Sequence, residues 1–129
     1  MSLTVSNVAN PLGTLLVTDT EANGTAEKDV TTGGGTKYSI QIDNTLNTVG
    51  VYVKVADNAM AGNAAAATTT PNWVYYAPAG LTVTYACPGG SAYSTALSFW
   101  CTTVKASFHT GSEAQTDPTN KVVVRILAT

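Results

Sequence analysis

Charge is what this sequence has least of. Lys, Arg, Asp and Glu together make up 11% of its 129 residues, against roughly 25% in an average soluble protein. Six basic residues scattered among eight acidic ones, for a formal charge of −2, leave no basic stripe to neutralise a run of phosphates. Nucleic acid is therefore not an expected partner. So weakly charged a surface relies little on self-repulsion, which suits a chain that ends up covered by its neighbours.

Histidine is nearly absent too, occurring once as His109, and cysteine occurs twice. A zinc site draws on several His or Cys at short spacing, so no metal is expected. His109 with Glu113 and a nearby Ser satisfies the letter of a nucleophilic triad, but so does almost any polar loop, and no catalytic residue is assigned. The acids Asp19, Glu21, Glu27 and Asp29 share one loop whose order does not match a calcium-binding loop. Asp43 and Asp57 stand too far apart in sequence to be read as a glycosidase pair. Gly33 to Gly35 is followed neither by a helix nor by the Lys-Ser or Lys-Thr of a phosphate loop, so it reads as a turn and no cofactor is expected. The chain is read as non-enzymatic.

Long apolar runs are missing as well: none approaches the roughly 18 residues of a membrane span. The opening M-S-L-T-V-S-N-V-A-N-P has neither the basic nor the apolar region of an export signal. Synthesis in a cytoplasm is expected, where two cysteines stay reduced.

What is abundant is Thr, about one residue in six, beside an apolar content of 44%. Thr is β-branched and suits strands. The clearest stretch is T-K-Y-S-I-Q-I-D-N-T-L-N-T-V-G-V-Y-V-K-V, residues 36 to 55. Tyr38, Ile40 and Ile42 alternate with Lys37, Ser39 and Gln41; Val49, Val51, Val53 and Val55 alternate with Gly50, Tyr52 and Lys54. Period-two patterning on both sides of an Asx- and Thr-rich link predicts two strands paired as an antiparallel hairpin, each with one apolar face.

Further strands are predicted over 72–77, 81–87, 96–104 and 122–128. In the third of these Leu97, Phe99 and Cys101 share a face; in the last, Val122, Val124 and Ile126 do. Residues 1 to 18 give an N-terminal arm or edge strand and a short strand after Asn10-Pro11. Residues 19–35, 56–71 and 105–120 read as loops. The sum is a single all-β domain over residues 1–129, an antiparallel β-sandwich of about eight strands, jelly-roll or immunoglobulin-like, with residues 1–10 as a possible arm.

Were 81–87 and 96–104 a hairpin around Pro88-Gly89-Gly90, Cys101 would sit about five residues up the ladder from Cys87, roughly 17 Å away. A disulfide needs Cα atoms within about 7 Å, so free thiols are expected unless the two strands belong to opposite sheets. Among the aromatics, alternation assigns half to the core. Trp73 or Tyr75, together with Phe108, are then left as exposed surface of the kind that marks an interface.

Y-S-I-Q-I-D-N (38–44), V-Y-V-K-V-A-D (51–57), V-Y-Y-A-P-A-G-L-T-V-T-Y (74–85), P-G-G-S-A-Y-S-T-A-L-S (88–98) and the closing V-V-V-R-I together resemble small all-β virion proteins of tailed bacteriophages. The resemblance spans roughly residues 36 to 128 and consists of strand-and-turn patterns. It implies a structural protein present in many copies, foremost a capsid cement or decoration protein that binds across joints of the assembled shell. A tail, neck or fibre component, including a receptor- or glycan-binding module, is the alternative. Its expected partners are the major capsid protein or other virion proteins and further copies of itself, a trimer being the usual assembly. Contacts are expected from the arm 1–10 and the loops 56–71 and 105–120, with Leu3, Val5, Val8, Trp73, Tyr75 and Phe108 as interface residues.

Overall fold

The structure, a computed structural model, describes residues 2–7, 13–60, 69–104 and 115–129. These contain eight strands: β1 (Leu3–Asn7), β2 (Leu15–Asp19), β3 (Gly35–Asp43), β4 (Val51–Asp57), β5 (Trp73–Ala77), β6 (Thr82–Tyr93), β7 (Leu97–Thr102) and β8 (Val123–Ala128). One antiparallel sheet has the order β1-β2-β8-β3-β6 and the other the order β5-β4-β7. The chain is an all-β sandwich with its core between them.

Alternation sets the inward faces. Val17, Ile40, Ile42, Val124 and Ile126 from the larger sheet meet Val51, Val53, Val55, Leu97, Phe99 and Cys101 from the smaller one, all fully buried in one cluster. At about 25 cal/mol per Å² of apolar surface removed from water, this face-to-face burial is the main favourable term in folding.

Neighbour relations differ from the sequence expectation. β3 and β4 do not form a hairpin. They lie in opposite sheets, β3 between β8 and β6 and β4 between β5 and β7. The same holds for β6 and β7. A period of two specifies that a strand has one apolar face; that face is buried equally well across a core as beside a sheet neighbour. Although β6 and β7 stand on opposite sheets, Cys87 and Cys101 are both free thiols. Cys101 points into the core, where burial pushes its thiol pKa up to about 12.

The arch from Asn44 to Gly50 carries the chain from one sheet to the other. Asn44 is fully buried. Its side-chain NH2 lies 3.0, 3.2 and 3.1 Å from the carbonyls of Val49, Ala77 and Pro78, two protons shared among three acceptors. Its side-chain oxygen accepts from the Asn47 amide at 2.9 Å. Asn47 in turn exchanges hydrogen bonds with the backbone of Asn120, just before β8. Three segments distant in sequence thus converge on two buried amides, the arrangement that leaves carbonyls at the end of a sandwich satisfied without water.

Two further details depart from simple alternation. A bulge between Lys37 and Ser39 shifts the register of β3 against both its neighbours. It turns Lys37 inward, fully buried, and leaves Tyr38 half-exposed, the re-aiming of a side chain that bulges produce. On β6 the matching irregularity is Cys87-Pro88-Gly89-Gly90, so the strand predicted to stop at Pro88 resumes and runs to Tyr93. Gly89 and Gly90 hold φ of 79° and 81°, the left-handed region open to glycine. A Cβ on Gly90 would also stand 2.1 Å from the Thr36 methyl.

The loop 19–35 is not a solvated excursion. Asp19 ends β2, buried, and accepts from the Ser2 hydroxyl and the Glu21 N–H. The chain then runs along the free edge of β7: Glu27 and Phe99 exchange both backbone hydrogen bonds, and Cys101 N–H and Val30 N–H bond across to Asn23 and Leu97. Burial, reinforced by Asp19, raises the Glu27 pKa. The outer face of the smaller sheet is covered too where β4 meets β7. Ala26, Ala56, Met60 and Trp100 form a second buried cluster, and Lys54 on the same face is buried rather than exposed. Val49, assigned to the apolar face of the second strand, precedes β4 and is exposed.

The turn from β6 to β7 hangs on one carboxylate. Asp57 accepts from the N–H groups of Ser94 (2.8 Å), Thr95 (2.8 Å) and Ala96 (3.3 Å), and the first of these bonds leads in lowering its pKa.

Two predictions follow from these polar anchors. Asn44→Ala should cost about 3 kcal/mol in denaturant unfolding, since it strands buried carbonyls and the Asn47 amide. Leu46→Ala, at an exposed position of the same arch, should stay within about 0.5 kcal/mol. Because the folded pKa of Asp57 lies below its ordinary 3.8, its contribution is complete above that value and is lost as pH falls through the folded value. Asp57→Asn should therefore destabilise at neutral pH and flatten the acid limb of a melting-temperature profile.

Candidate functional site at the β5 and β6 edges

β5 ends the smaller sheet and β6 ends the larger one, and the two edge strands face each other across one open side of the sandwich. The outer edges of both carry no ladder partner among the described strands. Aromatic rings close the gap between them. Tyr75 and Tyr85 stand with centroids 5.2 Å apart, and the Tyr85 hydroxyl donates to the Tyr76 carbonyl at 2.5 Å.

Outside this seam lies an apolar band. Val74 and Tyr76, two apart on β5, share an outward face and are 37% and 42% exposed. Tyr76 stacks obliquely on Tyr52, centroids 4.9 Å apart, and lies over Gly50, where a Cβ would meet the ring at 2.5 Å. Leu81 (53%) and Tyr85 (37%) continue the band on the β6 side. Leu46 and Val49, both exposed, extend it over the arch. Apart from Val5, these are the exposed large apolar residues among those described. Their concentration at one end and side, rather than scattered singly, is what distinguishes an interaction surface from ordinary exposure.

Trp73 and Tyr75 belong to this edge but are turned inward, half-buried and packed on the core. Alternation allotted one of them to the surface; the outward positions on β5 are Val74 and Tyr76. Leu3 and Val5 lie on β1, the opposite edge of the larger sheet. Leu3 packs on the core and Val5 is 41% exposed. Residues 3–7 are paired along their whole length with β2. Val8, Phe108, His109 and Glu113 lie outside the described residues. Leu46 lies among turn residues and carries no periodic signal; Leu81 alternates in phase with Val83 and Tyr85, a pattern that marks a strand face but not which side of it is exposed.

Beneath the seam sits Lys37. Its Nζ donates to the Tyr75 hydroxyl at 2.5 Å and to Cys87 Sγ at 3.8 Å, and stands 4.6 and 5.1 Å over the rings of Trp73 and Tyr75. Burial lowers the Lys37 pKa, the Cys87 sulfur opposing that shift, and burial raises the Tyr75 pKa. Ring faces and a phenol thus stand in for the carboxylate that usually accompanies a buried ammonium. At the arch end of the sandwich, a cavity of about 260 Å³ is lined by Asn23, Asp117 and Asn120 and by the exposed Glu21–Lys121 ion pair (2.9 Å). Among the described residues no three His, Cys, Asp or Glu converge as metal ligands.

Compared with family models, curated proteins and solved structures, the chain matches none.

The buried lysine has a measurable signature. A folded pKa below the ordinary 10.5 means that the unfolded chain binds more protons in the window between the two values, so stability rises with pH there. Lys37→Met keeps the length of the stem on Trp73. It should abolish the rise between neutral pH and the ordinary lysine value of 10.5. Urea midpoints of both proteins at the two pH values check it.

Proposed function

We propose that this chain is a non-enzymatic structural protein of a tailed-bacteriophage virion, most concretely a cement or decoration protein of the capsid shell, and that the β5/β6 edge band is its principal contact surface. The observation that carries the reading is that band: exposed Val, Leu and Tyr beside two sheet edges that have no ladder partner among the described residues, on a chain poor in charge. Tyr-rich, charge-depleted patches are the composition of interface cores. A free edge adds backbone hydrogen bonds that a partner strand can complete. The resemblance of residues 36–128 to small virion proteins supplies the setting.

Cementing by such a patch works through mass action. Each copy contributes a modest interface that exists only on the assembled shell, and many copies together oppose its expansion. A sandwich closed by satisfied polar corners is stiff enough to transmit that restraint.

Light scattering of the purified protein, followed by co-sedimentation with empty capsid shells, tests the proposal. The expected outcome is an oligomer that pellets with shells. Val74→Lys combined with Tyr76→Lys should reduce shell binding at least tenfold, since each buries a charge at the interface, while leaving the monomer's thermal unfolding within a few degrees. Wild-type protein that stays in the supernatant overturns the cement reading. Glycan binding that depends on Tyr76 would instead favour a receptor-binding tail module, as the exposed Tyr76 ring packed on Tyr52 allows.

A further inference from the structure

One cluster is left unused by the assembly reading. Cys87 is half-buried and lines a largely apolar cavity of about 240 Å³ with Tyr38, Ser39, Ala86, Pro88 and Gly89. Ala86, Pro88 and Gly89 are exposed, so the cavity opens to solvent. Lys37 is fully buried, with its Nζ 3.8 Å from the Cys87 sulfur. The half-buried Cys87 thus stands between a cavity open to solvent and a buried amine. Burial disfavours the charged form of that amine, which leaves its lone pair the more available. The other cysteine, Cys101, is fully buried in the core.

We propose that Cys87 and Lys37 form a redox-switched covalent cross-link, closed by a peroxide and opened by thiols. In the first step the Cys87 thiolate attacks one oxygen of hydrogen peroxide. The O–O bond breaks and hydroxide leaves, taking up the proton the thiol released to become water. Sulfur is oxidised by two electrons to the sulfenic acid as the peroxide is reduced. In the second step Lys37 Nζ attacks that sulfur; the S–N bond forms as S–O breaks, and the departing hydroxide leaves as water with one amine proton. The sum is thiol plus amine plus peroxide giving a sulfenamide and two waters, the amine playing the part that a backbone nitrogen plays in known sulfenamides. The flexible four-carbon stem of Lys37 gives Nζ the freedom to close the gap. An external thiol reverses the link by attacking sulfur and releasing the amine, and a second thiol then frees Cys87. The link ties β3 to the edge strand β6 at the bulge, where their ladder is interrupted.

Intact mass and tryptic mapping of the folded protein after hydrogen peroxide treatment test this. The expected product is about 2 Da lighter than the reduced protein. Trypsin no longer cuts after Lys37, and the peptide spanning it is joined to the 55–105 peptide that holds Cys87. Dithiothreitol restores both. Cys101→Ser should give the same product, which separates the link from a Cys87–Cys101 disulfide of equal mass, and Cys87→Ser should give none. If Lys37→Met folds, it should stop at a sulfenic acid that dimedone captures; if it does not, the wild-type map alone decides. Oxygen added to Cys87 with normal cleavage after Lys37, an unreacted Cys87, or loss of the 2 Da product in Cys101→Ser would each overturn the proposal.

Discussion

Two buried amides at one end of the sandwich carry the topology. Asn44 and Asn47 collect carbonyls and N–H groups from the arch, from the turn after β5 and from the approach to β8. Without them the chain could not leave one sheet and enter the other at this point and still satisfy its backbone in a dry environment. Everything downstream follows from that crossing: β4 becomes the centre of the smaller sheet, β3 is freed to pair with β8 and β6, and the two valine- and isoleucine-rich faces meet across the core.

A second constraint works at the open side. Strands β5 and β6 belong to different sheets, and the space between their inward faces is filled by Trp73, Tyr75, Tyr85 and the stem of Lys37. The bulge of β3 and the Gly89-Gly90 irregularity of β6 are complementary. One brings Lys37 in, and the other gives its neighbouring strand the extra length to pass around Tyr38. A buried amine held by rings, a phenol and a thiol is costly compared with an apolar residue of the same volume. That cost is retained where the outer surface of the same edge is the candidate contact and where the one half-exposed thiol lies. Surface and seam thus meet at β5 and β6, whose outer edges have no ladder partner among the described residues.

The other edge behaves differently. β1 blunts the larger sheet with a short, largely exposed strand, and the 22–31 segment covers β7 with irregular backbone pairing. Among the described residues the β7 edge is closed by the molecule's own chain and the outer edges of β5 and β6 are not, an asymmetry that works against indiscriminate edge-to-edge stacking.

The sequence by itself determined the class of structure and the inward faces. Alternation in β3, β4, β7 and β8 groups Ile40, Val53, Phe99 and Ile126 each with the β-branched or aliphatic residues two positions away on one face of a pleated strand, and those faces form the core. It also announced the Asx- and Thr-rich turn after Asp43. Only the tertiary structure decided which strand sits beside which. A face-burying pattern is indifferent to whether its partner lies next to it or opposite it, and so two apparent hairpins became crossings between sheets. The same holds for the candidate site. Val74, Tyr76, Leu46 and Leu81 come together through the arch and the facing edges, and Lys37 and Cys87 meet across a bulge. Such meetings depend on register and sheet order, which the long-range hydrogen bonds of Asn44, Asn47 and Asp57 fix and which local periodicity does not encode.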